Sequence, residues 1–302
     1  MAFRLQDKGN SFLVYFSALL AVAAWGGSFA AAKVALEQIS PLLIMFGRFV
    51  FSLLMLLPIA YFCGELALPK RKQCLVLAFM GFFGFFFHLG IQTLAMKTAG
   101  SATANWQMAS APAITAALAA IFLKEKLSGR GMFGVALAFL GVAVVLSLGT
   151  QGKAGISAYS FGDFLISVSA LNWAAFMVIT RWLFRDGAYP PVFTIFWEMF
   201  FAVLMCIPAL YMAGEDVTAA ARFTASTWGA LAFLGIVCSG LAYVCWYYAA
   251  ARIPIAELMV FQFFQPLVGA LVGYLVIGER FTLWLFVGGA MIIAGVWAVN
   301  RK

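Results

Sequence analysis

Charge is what this sequence has least of. Only 10% of its 302 residues are Asp, Glu, Lys or Arg, against roughly a quarter in an ordinary soluble domain, so the chain cannot clothe itself in a water-facing surface. It has one histidine and 11 acidic residues. Hydrolytic or transfer chemistry needs a nucleophile with its base, or clustered metal ligands, and little here supplies either. A membrane enzyme is therefore the disfavoured alternative, and no metal or cofactor is implied. No Gly-rich phosphate loop occurs, which excludes direct use of ATP. The five cysteines (Cys63, Cys74, Cys206, Cys238, Cys245) have neither metal-ligand spacing nor the pattern of a disulfide framework, and read as small core residues. The period-two alternation of a membrane β-barrel is missing, as is a small-residue cleavage pattern near the start.

What the chain does have is apolar length. Hydrophobic residues make up 65% of it and aromatic residues 17%, with Phe alone at 32; mean hydropathy is +1.01. The apolar blocks run for about 20 residues, the helix length that crosses a bilayer core. These features predict an all-α polytopic membrane protein with ten transmembrane helices, near 12–32, 41–62, 74–96, 101–123, 131–148, 161–180, 191–212, 227–251, 254–277 and 283–300, and no soluble domain.

The stretch Ser101–Val142 recurs as Ile255–Val296. A shift of 154 positions puts Pro112 on Pro266, Glu125 on Glu279, Lys126 on Arg280, Gly134 on Gly288, Gly141 on Gly295 and, further upstream, Gly81 on Gly235. A shift of 150 pairs Pro41 with Pro191, Arg48 with Glu198, Pro58 with Pro208 and Gly64 with Gly214, and a shift of 148 pairs Trp25 with Trp173. Two five-helix repeats follow, 12–148 and 161–300, with any function expected between them.

The net charge of +8 is read as an orientation signal rather than a nucleic-acid surface. With ten spans, Arg4, Lys8, Lys70, Arg71, Lys72, Lys124, Lys126, Arg130, Arg181, Arg185, Arg252, Arg301 and Lys302 fall on one side, against Lys33, Lys97, Lys153, Arg222 and Arg280 on the other. That asymmetry predicts both termini in the cytoplasm. Five spans per half then make the two halves inverted relative to each other.

Polar groups within the spans are few, and such groups either pair or line a wet cavity. Phe85, His88 and Gln92 share a helix face by their i, i+3, i+7 spacing, and the repeat maps that face to Ser239, Ala242 and Trp246, with Tyr243 beside it. These are expected to form opposing walls of one cavity, His88 having the alternative of a bond to a neighbouring helix. In the fourth span Ser101, Asn105, Met108 and Pro112 align, and in the ninth Ile255, Met259, Gln262 and Pro266. A mid-span proline frees a carbonyl and kinks its helix, which suits a position beside a cavity. Asn172 and Trp173 in the sixth span oppose Trp25, as cavity lining or as packing. Trp106, Gln107 and Gln265 lie near these faces. Arg48 and Glu198 are expected to serve structure through bonds to neighbouring backbone.

Two five-span halves, Trp25-Gly26 in the first span, Arg48 in the second, and the helix–proline–helix–acidic turn with Glu125 and Glu279 resemble the EamA family of the drug/metabolite transporter superfamily. The resemblance covers residues 12 to 300, with Ala174-Ala175 standing where the first half has Gly26-Gly27. It implies an exporter of amino acids or similar metabolites, and the aromatic-rich third and eighth spans are most similar to exporters of aromatic amino acids. Lipophilic cations or drugs are the other solutes that aromatic walls would serve. The implied setting is the bacterial inner membrane, with a small-molecule substrate, the lipid bilayer and no nucleic acid as partners, and the chain acting as a monomer. With His88, Glu198 and Glu257 as the few embedded titratable groups, a facilitator or weakly proton-coupled carrier is expected.

Overall fold

The computed structural model describes residues 11–122, 129–148, 160–184, 187–253, 255–278 and 282–300. Both acid–base turns of the sequence repeat, around Glu125 and Glu279, lie outside the described residues. All regular structure among the described residues is helical. We label the helices α1 (Ser11–Leu36), α2 (Pro41–Phe62), α3 (Arg71–Ala95), α4 (Ser101–Met108), α5 (Ala111–Phe122), α6 (Gly129–Leu148), α7 (Phe161–Leu183), α8 (Pro191–Ala213), α9 (Ala225–Ala250), α10 (Ile255–Val260), α11 (Phe264–Ile277) and α12 (Leu283–Asn300).

Their ends follow local chemistry. Ser40 caps α2 by accepting from Leu43 N at 3.2 Å, with Pro41 opening the helix. Ser160 and Asp163 form a reciprocal capping box at α7, each satisfying an amide that has no partner within the helix. The start of α8 is capped from another helix's end: Glu65 Oε2 accepts from Val192 N and Phe193 N, both at 3.0 Å. Gly64 and Gly214, partners under the 150 shift, follow α2 and α8 with φ of 69° and 65°, left-handed values that glycine adopts without strain.

Among the described residues, seven helical stretches are long and apolar enough to cross a membrane: Phe12–Leu36, Pro41–Phe62, Arg71–Ala95, Phe161–Leu183, Pro191–Ala213, Ala225–Ala250 and Leu258–Ile277. Large apolar side chains such as Phe62, Tyr211, Leu75 and Leu275 stand fully outward. In water such a surface would aggregate; in hydrocarbon it is the lowest-energy one. The chain is an all-helical, multi-pass membrane protein.

The proline-bearing spans depart from the expected geometry. The sequence predicts one kinked helix over 101–123, whereas α4 stops at Met108 and α5 begins only at Ala111, with Ala109 and Ser110 between. Pro112 lacks an N–H, and its ring would meet the carbonyl one turn earlier. Ser110 N and Oγ both donate to Gln107 O, at 3.0 and 2.7 Å, and close the end of α4. Before Pro266 the chain tightens to a 3₁₀ turn, Phe261–Phe263, between α10 and α11. The two irregularities fall at matching places under the 154 shift.

Helix contacts also exchange under the repeat. A Cβ added to Gly81 would lie 2.5 Å from Glu198 O, and one added to Gly235 would lie 2.8 Å from Arg48 O, so α3 meets α8 as α9 meets α2. In the same way Gly141 and Gly288 face each other's carbonyls at 2.6 and 2.7 Å, and Gly295 faces Gly134 O at 2.5 Å. These glycines form the seam between α6 and α12, which pack along their length. Helix α1 lies against α11 and α9 and closes the middle of the bundle.

Candidate functional site

The site starts with two widened helices. Within α3 the residues Phe82–Phe87 form a π-helical segment, and within α9 so do Phe233–Leu241. Such segments insert an extra residue per turn and are frequent at functional sites. Packing is close here: Gly84 lies under the Phe176 ring and Gly81 under the α8 backbone, so neither position has room for a Cβ. His88 follows directly on the first segment, and Tyr243 lies two residues past the end of the second.

Together with α1, α2, α4, α7 and the turn before Pro266, they enclose a central cavity of about 30 Å³, room for a water-sized group. Five residues expected from the sequence line it: His88, Gln92, Trp173, Tyr243 and Gln262. Trp25, Arg48, Met108 and Gln265 complete much of the wall. In this conformation there is no space for an organic solute, so binding one requires the walls to part.

One wall is a hydrogen-bonded chain. Gln92 Nε2 donates to Ser169 Oγ at 2.9 Å and lies 3.3 Å from His88 Nε2, while Ser169 Oγ is 3.0 Å from His88 Nδ1. A Gln92 N–H facing Nε2 is consistent with the ring proton on Nδ1, directed to Ser169. His88 is thus both a cavity wall and a residue bonded to a neighbouring helix, joining the two readings the sequence left open. The other wall is aromatic. Trp25 meets Trp173, Tyr243 and Trp246 edge-on, with ring centroids 5.4, 5.1 and 5.1 Å apart, and Trp25 Nε1 donates to Cys238 O at 2.9 Å.

Four of the expected residues lie outside the lining. Trp246 is sealed behind Trp25, with its Nε1 3.3 Å from Met177 Sδ. Ser239 is buried and accepts from Arg48 Nε at 2.9 Å. Asn105 donates to Gly26 O and Ser101 O and accepts from Gln265 Nε2, which ties α4 to α1 and α11. Asn172 is buried, with both side-chain polar atoms lacking a hydrogen-bond partner among the described residues. The widened turns of α3 and α9 rotate the expected helix faces: Phe85 packs on Phe176 and Tyr243 behind the wall, and Trp246 turns away.

Arg48 and Glu198 do not bond to neighbouring backbone as expected; both use side chains, Arg48 that of Ser239 and Glu198 that of Tyr247, whose hydroxyl donates to Oε2 at 2.6 Å. Sequence reasoning assigned Arg48 to structure, and its bond to Ser239 is of that kind, while its place in the cavity wall is a second contact that the sequence did not show. It missed Ser169, which carries no motif and whose partner under the 148 shift is Ala21. Gln107 is engaged elsewhere, donating to Asp163 Oδ1 at 3.0 Å.

A lipid-facing helical bundle around a buried cavity of amides, imidazole, guanidinium and indoles is the build of a membrane transport protein. The chain belongs to the EamA-like transporter family, whose model matches residues 12–147 and 160–301; it is a transporter and not an enzyme. An uncharacterized transporter of Archaeoglobus fulgidus is 28% identical, covering 92% of this chain and 94% of its own. A protein of Streptantibioticus cattleyicolor named a probable terminal-alkyne amino-acid exporter is 26% identical over 94% of this chain and 92% of its own. One of Salmonella typhimurium named a probable amino-acid metabolite efflux pump is 27% identical over 93% of each. A crystal structure of a protein 19% identical superposes with a TM-score of 0.71 over 94% of this chain and 95% of that one, which speaks to the fold alone.

Proposed function

We propose that this protein exports amino acids, aromatic and apolar ones foremost, across the bacterial cytoplasmic membrane by alternating access through the central cavity. The observation that carries the reading is the composition of that cavity: indole and phenol faces for an apolar side chain, beside amide, imidazole and guanidinium groups for a charged head. The names of the Streptantibioticus and Salmonella relatives point to the same solute class.

In this reading the chain has ten spans in two inverted halves, 12–148 and 161–300, with both termini cytoplasmic, and works as a monomer. The exchange of the Gly81–Glu198 and Gly235–Arg48 contacts, and of those between α6 and α12, supports an internal two-fold axis. The irregular stretches support the mechanism: Met108 just before the break at Ala109–Ser110, Gln262 in the 3₁₀ turn and His88 just after the α3 π segment all line the cavity. Broken and widened helices beside a central site are where alternating-access carriers bend.

The test is counterflow in proteoliposomes holding no ion gradient, with each of the twenty amino acids as labelled solute. Saturable exchange of Phe, Trp, Tyr, Leu or Met is the expected result. Exchange of a lipophilic cation with none of any amino acid would replace this reading by that of a drug exporter. Exchange that requires an imposed pH gradient would replace the facilitator mechanism by proton coupling.

A further inference from the structure

Resting on the amino-acid reading above, we infer that Arg48 is the carboxylate receptor of the central cavity, so that a free carboxylate is what a solute must present. Arg48 lies within α2 at 4% exposure and lines the cavity. A guanidinium stays charged in proteins, and an embedded charge is costly unless something pairs with it.

The structure supplies only part of that pairing. Nε is held by Ser239 Oγ. Among the described residues, no hydrogen bond or ion pair reaches the two terminal nitrogens. Other arginines of the chain use theirs on backbone: Arg181 Nη1 donates to Ala250 O and Arg252 Nη1 to Tyr248 O, both at 2.9 Å. Glu198, the acidic counterpart of Arg48 under the repeat, is engaged by Tyr247 and not by Arg48. The fork is thereby fixed at its inner nitrogen and open at its outer pair, the geometry that takes a carboxylate through two parallel bonds.

Two further atoms of the same wall are unused. Trp173 Nε1 is a buried donor and Gln262 Oε1 a buried acceptor, neither with a partner among the described residues. An amino-acid head answers all three: carboxylate to Arg48 and the indole N–H, ammonium to the Gln262 carbonyl and the π faces of Trp25 and Tyr243. A lipophilic cation would bring a second positive charge to Arg48 and leave its fork empty.

The experiment compares phenylalanine with 3-phenylpropionate, which lacks the ammonium, and phenethylamine, which lacks the carboxylate. In counterflow of labelled phenylalanine by the wild-type protein, phenylpropionate should compete within several-fold of phenylalanine. Phenethylamine should compete about tenfold less well or worse, the loss expected when a charged hydrogen-bonded pair is not made. Equal competition by the amine would overturn the inference. Thermal shifts of the purified protein in detergent decide the matter apart from transport. Phenylpropionate should raise Tm and phenethylamine should not, with the shift lost in Arg48→Gln and partly kept in Arg48→Lys. A wild type with no carboxylate shift, or an Arg48→Gln protein that keeps it, sinks the receptor; where Arg48→Gln fails to fold, the wild-type comparison of acid and amine decides. Absent amino-acid exchange alongside a carboxylate shift that depends on Arg48 would instead sink the amino-acid reading and leave the receptor standing.

Discussion

The imidazole of His88 lies over the indole of Trp173, ring centroids 5.4 Å apart and planes 22° apart. The pair joins α3 to α7 at the cavity wall, so Trp173 holds the histidine and, in the proposed reading, offers a face to a solute. Trp173→Ala should lower counterflow by about 2- to 10-fold, the worth of one aromatic contact, while Trp173→Phe keeps most of it. Initial rates at matched protein per liposome check this; wild-type rates in Trp173→Ala would remove the residue from the transport path.

Gln92 meets Nε2 of that histidine and donates to Ser169 on α7, whose hydroxyl in turn meets Nδ1. Gln92→Ala should reduce counterflow several-fold, because His88 and Ser169 lose a hydrogen bond worth about 1 kcal/mol and the ring is freed to turn. Ser169→Ala should act in the same direction. Unchanged rates in both variants would show that His88 is positioned by Trp173 alone.

Trp246→Ala is expected to act on stability first. Trp246 is wholly buried behind Trp25, and truncating such a residue costs about 3–5 kcal/mol. Thermal unfolding in detergent should drop by several degrees, while any transport defect follows the loss of folded protein. A variant with wild-type Tm and no transport would return Trp246 to the cavity wall.

Gly81→Leu and Gly235→Leu should be equally damaging, since each side chain would be driven into the carbonyl of Glu198 or Arg48. Gly229→Leu, at a glycine with nothing within 4 Å, is the control and should unfold like wild type. A tolerated substitution at either of the first two would break the proposed equivalence of the halves.

Sidedness follows from the proposed topology. With Cys63, Cys74 and Cys245 replaced, single cysteines at Lys70 and Arg252 should react from the cytoplasmic face, and those at Lys33 and Lys97 from the outside. Labelling of Lys70→Cys and Lys97→Cys from one face would remove the ten-span, inverted arrangement.

Helix positions were legible because hydropathy and proline spacing act locally: Pro41 and Pro191 open α2 and α8, and Gly64 and Gly214 close them, as the repeat implies. His88, Gln92, Trp173, Tyr243 and Gln262 stood out as polar or amphipathic groups in apolar surroundings, where each needs a neighbour. Trp246 and Phe85 were misplaced because a 3.6-residue period assumes an unbroken helix, and the π segments in α3 and α9 advance the register. Within the α3 segment Gly84 packs directly on Phe176, a contact that no single segment records. Ser169 was invisible for a different reason: a serine in a span can bond its own helix, and only the fold brings it to His88. Arg48 was legible as a lone basic residue in an apolar span, but which of its nitrogens find partners is set by the fold.

The seam between α6 and α12 has a consequence for how this chain can change over generations. Gly141 faces Gly288, and Gly295 faces Gly134, so four codons from opposite ends of the gene meet at one contact. A side chain gained at Gly141, Gly288 or Gly295 runs into backbone of the facing helix, and no repacking of its own helix makes room. In the proposed two-half reading, these positions stay small however far the residues around the cavity diverge to suit a solute.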